Sequence, residues 1–90
     1  MPIEIITTNR FLKEVALAKK RGKDLSKLKE ILRRLAADES LDGRYKNHKL
    51  DGKFKNRWEC HLEPDWLFVY LKTETQIICE RIGTHSDLFE

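Results

Sequence analysis

The chain has 90 residues, and its 18 Lys/Arg against 15 Asp/Glu side chains give a formal net charge of +3 at pH 7. A chain of this length forms one domain with a modest core. No apolar run approaches the roughly 20 residues that cross a bilayer. The first residues, MPIEIITT, lack the basic and apolar regions of a signal peptide. We therefore expect a single cytoplasmic domain, 1–90, whose two cysteines are buried, reduced thiols.

The N-terminal part predicts a short strand followed by two helices. Residues 2–7 contain three β-branched isoleucines and read as a strand. Thr8 or Asn9 can cap a helix that runs to about Arg21, since its apolar residues recur at helical spacing. Asp24 can cap a second amphipathic helix, whose apolar stripe is Leu25, Leu28, Leu32 and Leu35. The short connection predicts that the two helices pack as an antiparallel hairpin.

The C-terminal part predicts three strands. Residues 38–51 form a polar stretch that we expect to be a loop, and loops of this length are often functional. Strands are expected at 54–62, 66–72 and 76–82, followed by a short C-terminal helix. The whole pattern indicates an α+β fold in which the helical hairpin covers one face of a small antiparallel sheet.

The first of these three strands divides its residues between two faces. Successive side chains of a strand point to opposite faces, so Arg57, Glu59 and His61 should point away from the helices. The opposite, core-facing set is Trp58, Cys60 and Leu62. His61 is therefore expected on an open, basic surface of the sheet.

Histidines and cations concentrate around this strand. Residues 43–61 hold six basic and two acidic side chains, so a polyanion is the natural partner. His48, His61 and His85 could serve RNA cleavage, in which one group removes the 2′-hydroxyl proton and another protonates the leaving oxygen. Each histidine also has an ordinary explanation as a surface, ion-paired or helix-capping residue. The histidine and cysteine spacing fits no common metal-binding pattern.

Three gapped patterns resemble a known family. They are Y-K-x-H-x-L-x-G from Tyr45, H-x-x-P-D-W from His61 and R-x-G-T-H-x-x-L-F from Arg81. Together they resemble the YafQ-type branch of the RelE/ParE toxin superfamily, which belongs to bacterial toxin–antitoxin pairs. The resemblance covers nearly the whole chain and implies a RelE-like fold, with two helices against a small twisted antiparallel sheet.

The resemblance also implies an activity. Members of the family are toxins that cleave messenger RNA in the ribosomal A site, by attack of a 2′-hydroxyl on the adjacent phosphate. The products carry a 2′,3′-cyclic phosphate and a 5′-hydroxyl, and the reaction needs no metal or other cofactor. The implied partners are a cognate antitoxin, the 70S ribosome with its message, and operator DNA bound through the antitoxin.

Residue by residue, the resemblance assigns a candidate site. The implied catalytic residues are His48, His61, Asp65, Arg81 and His85, with Glu59 as an alternative base. His48 or His61 would be the base and His85 the general acid. Arg81 would offset charge on the phosphate, and Asp65 would orient a histidine. The implied substrate-binding residues are Lys46, Lys49, Lys53, Trp66 and Phe89.

Two rival functions remain open. One is a ParE-like toxin that binds and inhibits a topoisomerase without hydrolysing anything. Its relatives generally lack the three histidines, which argues against it. The other is an inactive remnant that serves only in transcriptional autoregulation.

Overall fold

A computed structural model describes residues 3–41, 43–50 and 57–89. Its elements, in chain order, are β1 (Glu4–Thr7), α1 (Asn9–Lys20), α2 (Ser26–Ala36), a 3₁₀ turn (Gly43–Tyr45), β2 (His48–Lys49), β3 (Arg57–Glu63), β4 (Trp66–Lys72), β5 (Gln76–Gly83) and α3 (His85–Phe89). The predicted order of one strand, two helices, three strands and a short helix is confirmed. The predicted strand residues 54–56 lie outside the described part of the chain. No helix within that part is long and apolar enough to cross a membrane.

The sheet is mixed, with strand order β1-β5-β4-β3-β2. The pairs among β2, β3, β4 and β5 are antiparallel, whereas β1 runs parallel to β5. The antiparallel pairing expected of the sheet is confirmed for β3, β4 and β5, and β1 adds a parallel strand at its edge. Parallel neighbours need a connection of a dozen or more residues, and the chain between β1 and β5 is long enough to allow either direction. The polar stretch at 38–51 also holds the 3₁₀ turn and β2, which the pattern did not predict.

Two side chains anchor the helix starts. Thr8 Oγ1 accepts a hydrogen bond from Phe11 N at 3.1 Å and donates one to the Cys79 carbonyl oxygen at 3.0 Å. Thr8 thus caps α1 and ties it to β5. Asp24 Oδ1 accepts from the backbone N and the hydroxyl of Ser26, at 3.0 and 2.6 Å. Asp24 was predicted to be the N-cap itself, whereas the N-cap position of α2 is Leu25, so Asp24 binds the start of the helix from one residue upstream of that position.

The main core lies between the two helices and one face of the sheet. Cys60 and Leu62 of β3 are buried there and Trp58 packs against them, which confirms the predicted core side of that strand. A smaller cluster lies on the other face, where Leu88 of α3 packs on two β4 side chains, with Leu50 against them. The C-terminal helix therefore covers part of the face that carries the histidines, and β4 is buried on both sides, as predicted.

The two thiols are free and buried. Burial and, to a smaller extent, the Glu59 charge raise the pKa of Cys60 to about 12, and burial alone raises the pKa of Cys79 to about 12. A neutral buried thiol is a poor nucleophile. We expect both thiols to resist iodoacetamide at pH 8 in the folded protein and to react in urea.

The same thiols make stability fall at alkaline pH. Above about pH 9 a thiol loses its proton in the unfolded chain but keeps it in the folded protein, so the unfolded state binds fewer protons. The free energy of unfolding should then fall by about 1.4 kcal/mol per pH unit for each thiol. Urea titrations at pH 8, 9 and 10 measure the slope. Cys79→Ala should reduce the slope by the contribution of one thiol. An unchanged slope in that variant would show that Cys79 does not cause the loss of stability.

Candidate active site

His48 is held at both ring nitrogens. Its Nδ1 lies 2.6 Å from the Lys46 carbonyl oxygen, and its Nε2 lies 3.4 Å from Glu59 Oε1, directly across the β2–β3 pair. Lys46 has a φ of 48°, a left-handed conformation that few residues other than glycine adopt. That conformation directs the Lys46 carbonyl at the ring and fixes how His48 faces Glu59.

Glu59 is shared by two histidines. Its carboxylate is buried, with 7% of the side chain exposed, and its Oε1 also lies 3.4 Å from His61 Nε2. The His48 and His61 ring centroids are 6.2 Å apart. A buried carboxylate is costly unless positive or hydrogen-bonding groups face it. Glu59 therefore provides a negative charge at the centre of the histidine pair, and it is the only charged side chain among those buried in the described residues.

His85 is held by Asp65. Asp65 Oδ1 accepts from the His85 backbone N at 2.9 Å and lies 2.7 Å from His85 Nδ1. These two hydrogen bonds, the backbone one first, lower the pKa of Asp65, so the carboxylate is ionised at neutral pH. A carboxylate only accepts, so Nδ1 carries the proton and Nε2 is the nitrogen left to face a substrate.

An open row of rings joins these groups. The His85 centroid lies 6.0 Å from that of His61 and 6.3 Å from that of Phe89. His85 and Phe89 are exposed at the C-terminal end of the row, whereas His61 is only 19% exposed. The row His48, His61, His85 and Phe89 therefore places ionisable rings and one aromatic ring along a single accessible surface.

Arg81 lies beside this row and is already engaged. Its Nε lies 3.0 Å from both carboxylate oxygens of Glu14, and its Nη2 donates to Glu14 Oε2 at 2.8 Å and to the Asp87 carbonyl at 3.1 Å. Glu59 pairs with Val69, and Val69 pairs with Arg81 on the next strand. The backbones of Glu59 and Arg81 are therefore two strand spacings, or roughly 10 Å, apart. The contacts of Arg81 thus join α1, β5 and α3.

The structure places the predicted substrate-binding residues in different surroundings. Trp66 is 1% exposed in the main core, so its assignment as a substrate-binding residue is wrong: a ring without accessible surface cannot stack on a base. Lys46 and Lys49 are exposed, and the Lys49 ammonium lies 5.5 Å from the Trp58 ring centre. Phe89 is exposed beside His85. Lys53 lies outside the described residues.

Three residues outside the predicted site, Thr84, Asp87 and Arg21, fix the position of α3. Thr84 Oγ1 accepts from Asp87 N and Asp87 Oδ2 accepts from Thr84 N, both at 3.1 Å, which is a reciprocal capping box. Arg21 Nη1 also donates to Asp87 Oδ2 at 2.8 Å. Arg21, followed by Thr84, lowers the pKa of Asp87. The T-x-x-D spacing was visible in the sequence, but the partner from α1 was not.

The comparisons with known proteins agree with this geometry. A family model described as the bacterial toxin of type II toxin–antitoxin system, YafQ, matches residues 3–90. The chain belongs to the YafQ toxin family. The mRNA interferase toxin YafQ of Escherichia coli K12 is 39% identical over 87 residues, which cover 96% of this chain and 95% of that relative.

Solved structures of YafQ match over nearly all of the chain. The crystal structure of YafQ from E. coli strain BL21(DE3) has a TM-score of 0.93 at 37% identity, covering 98% of this chain and 99% of that one. The crystal structure of the E. coli DinJ–YafQ toxin–antitoxin complex gives the same TM-score and identity over 100% of both chains. The family resemblance and the RelE-like fold that it implied are confirmed.

Proposed function

We propose that this protein is the toxin of a type II toxin–antitoxin pair and an endoribonuclease that cleaves messenger RNA on the ribosome. The observation that supports the activity is the row of three histidines whose neighbouring rings lie 6.0 and 6.2 Å apart, each beside a carboxylate. A proton acceptor and a proton donor at such spacing can serve the two ends of one phosphodiester.

The base comes from the pair that shares Glu59. His48 or His61 removes the ribose 2′-hydroxyl proton, and the 2′-oxygen attacks the adjacent phosphorus. The Glu59 carboxylate, 3.4 Å from each Nε2, stabilises the imidazolium that forms through its opposite charge. Glu59 itself is the alternative base.

The acid is His85. Asp65 holds Nδ1, so Nε2 donates its proton to the 5′-oxygen as the P–O5′ bond breaks. The products are a 2′,3′-cyclic phosphate and a 5′-hydroxyl, and every proton transfer in this scheme uses a side chain. Phe89, on the far side of His85, stacks on a base.

Cations offset the charge that develops on the phosphate. Arg81 is bound to Glu14 through Nε and Nη2, which leaves Nη1 as the nitrogen that we assign to a phosphate oxygen. Lys46 and Lys49 add positive charge on the accessible side of β2. Lys53 belongs to the same basic stretch of sequence, and we propose that it also binds the substrate.

The partners follow from the family. The E. coli relative has been crystallised with the antitoxin DinJ, and we infer that this chain also has a cognate antitoxin, through which it reaches operator DNA. The ribosome and its message are the substrate assembly, which places the protein in the cytoplasm.

One experiment separates this function from topoisomerase inhibition. Purified protein is incubated with ribosomes programmed with a defined message, and in parallel with DNA gyrase and relaxed plasmid. We expect cuts in the message and unchanged supercoiling. An intact message with blocked supercoiling would instead support a ParE-like toxin.

Gly83→Ala should lower cleavage without touching a catalytic group. A Cβ at residue 83 would lie 2.9 Å from Asp87 Cβ and 3.0 Å from Asp87 Oδ2, so α3, which begins at His85, must shift. A displacement of about 1 Å costs on the order of 100-fold in rate. Single-turnover cleavage on programmed ribosomes measures the effect, with Gly43→Ala, where an added Cβ meets nothing within 4 Å, as the control. A wild-type rate for Gly83→Ala would show that α3 does not set the geometry.

A further inference from the structure

A groove of about 440 Å³ lies directly beside His61. Its walls come from α2, the 3₁₀ turn and the β3–β4 turn, and its volume is within the range of about 300–1,000 Å³ that holds small ligands. The groove shares His61 with the candidate active site. An RNA strand whose reacting phosphate lies at His61 must continue beyond that ring. The groove begins at His61 and so lies where the next nucleotide can be placed.

The groove is strongly cationic. Lys27, Arg44 and Lys46 line it, and Glu63 is the acidic residue among the lining side chains of the described chain. The Glu63 carboxylate binds Lys23 at 2.9 Å and Lys27 at 3.2 Å. Three lining cations therefore stand against one lining carboxylate, which Lys23, outside the lining, also offsets. Such a concentration of charge attracts a polyanion.

The groove also offers a flat surface for a base. The Arg44 guanidinium lies 4.9 Å from the Tyr45 ring centre, and Arg44 Nη2 donates to Tyr45 Oη at 3.0 Å. Tyr45 is 8% exposed, so its ring is a fixed support, whereas Arg44 is exposed. Unstacked RNA bases pack on arginine guanidinium planes as they do on aromatic rings. A guanidinium held against a buried ring has already lost much of its freedom, which favours binding.

We propose that this groove binds the nucleotide that adjoins the cleaved pair on the message, and so helps to set which sequence is cut. Its base stacks on the guanidinium of Arg44, and its phosphate lies between Lys27 and Lys46. This inference rests on the proposed ribonuclease function. RNA suits the groove better than a protein segment does, because cations and a stacking plane lie together next to a catalytic histidine.

The test compares substitutions inside and outside the groove. Arg44→Gln and Lys27→Gln remove groove cations, and Lys29→Gln makes the same charge change two residues further along α2, on a different side of the helix. On programmed ribosomes, Arg44→Gln should raise KM about tenfold and leave kcat within about twofold, because it removes the stacking contact with one base. Lys29→Gln should match wild type. Arg44→Lys keeps the positive charge but removes the planar guanidinium on which a base can stack. Its KM should therefore differ less among messages that differ at the adjoining base.

Two outcomes would overturn the inference while leaving the ribonuclease function intact. One is wild-type KM and base preference in Arg44→Gln. The other is wild-type KM in that variant together with loss of neutralisation by the antitoxin, which would make the groove a protein-binding surface. If the wild-type protein cleaves no message, the proposed function is rejected. RNA binding by the groove is then measured separately, from the fluorescence anisotropy of a labelled 2′-O-methyl RNA hexamer. Weaker binding by Arg44→Gln than by Lys29→Gln supports the groove, and equal binding rejects it.

Discussion

Replacing His85 with alanine should lower the rate of message cleavage by about 10²- to 10⁴-fold, because general acid catalysis contributes that much, and should leave Tm unchanged. His85 is 55% exposed, and its side chain contacts Asp65 and the neighbouring rings rather than the core. Single-turnover cleavage on programmed ribosomes gives the rate, and thermal denaturation gives Tm.

Two further variants make the His85 result specific. Asp65→Asn keeps an acceptor for the His85 ring but removes the charge, so its rate should lie between those of wild type and His85→Ala. Ser86→Ala changes the next exposed residue of α3 and should cleave at the wild-type rate. Full activity of His85→Ala would exclude this histidine as the acid and would leave the His48 and His61 pair to supply both proton transfers.

Replacing Arg81 with alanine should lower the free energy of unfolding by about 3 kcal/mol, in addition to lowering the rate of cleavage. The Glu14 carboxylate is 16% exposed and would lose its guanidinium partner, keeping the Ile82 N–H as a donor at 3.1 Å. Removing one partner of a buried ion pair leaves an uncompensated charge, which costs more than the pair itself stabilises. Urea denaturation at neutral pH measures the loss.

The double variant Glu14→Gln with Arg81→Met provides the control. Without the buried carboxylate, its stability should exceed that of Arg81→Met alone. With the two single variants Glu14→Gln and Arg81→Met, it should give a coupling energy on the order of 1–3 kcal/mol. Cleavage is then compared at a temperature at which every variant is folded, so that the remaining loss of rate reports the phosphate contact. A wild-type unfolding curve for Arg81→Ala would mean that the Glu14 pair has no structural role.

Local sequence patterns were sufficient for the helices, for the strands other than β2 and for the two faces of β3. Alternation along β3 placed Cys60 and Leu62 in the core and His61 on the opposite side, as the structure has them. The direction of β1 was beyond that reasoning, since a strand of four residues carries no information about which edge it joins. The partner of β1, residues 76–79 of β5, is set by the folding of the whole chain.

The site needed contacts that no local pattern specifies. The sequence suggested Glu59 as an alternative base, but its position between His48 and His61 depends on a two-residue strand within a stretch that reads as a loop. Arg81 was expected at the phosphate, and its ion pair with Glu14, 67 residues away, appears only in three dimensions. Trp66 matches the family motif, but its side chain is buried on the core side of β4 and so does not lie on the surface that faces the substrate.

The chemistry of the new RNA ends tests the central proposal most directly. Message cleaved by the wild-type protein on programmed ribosomes is recovered, and the ends on either side of the cut are identified by mass spectrometry. Acid–base attack of the 2′-oxygen between the Glu59-linked histidines and His85 predicts a 2′,3′-cyclic phosphate upstream and a 5′-hydroxyl downstream. A 3′-hydroxyl with a 5′-phosphate would show that water, and not the 2′-oxygen, attacks the phosphorus, and would contradict the roles assigned to these residues.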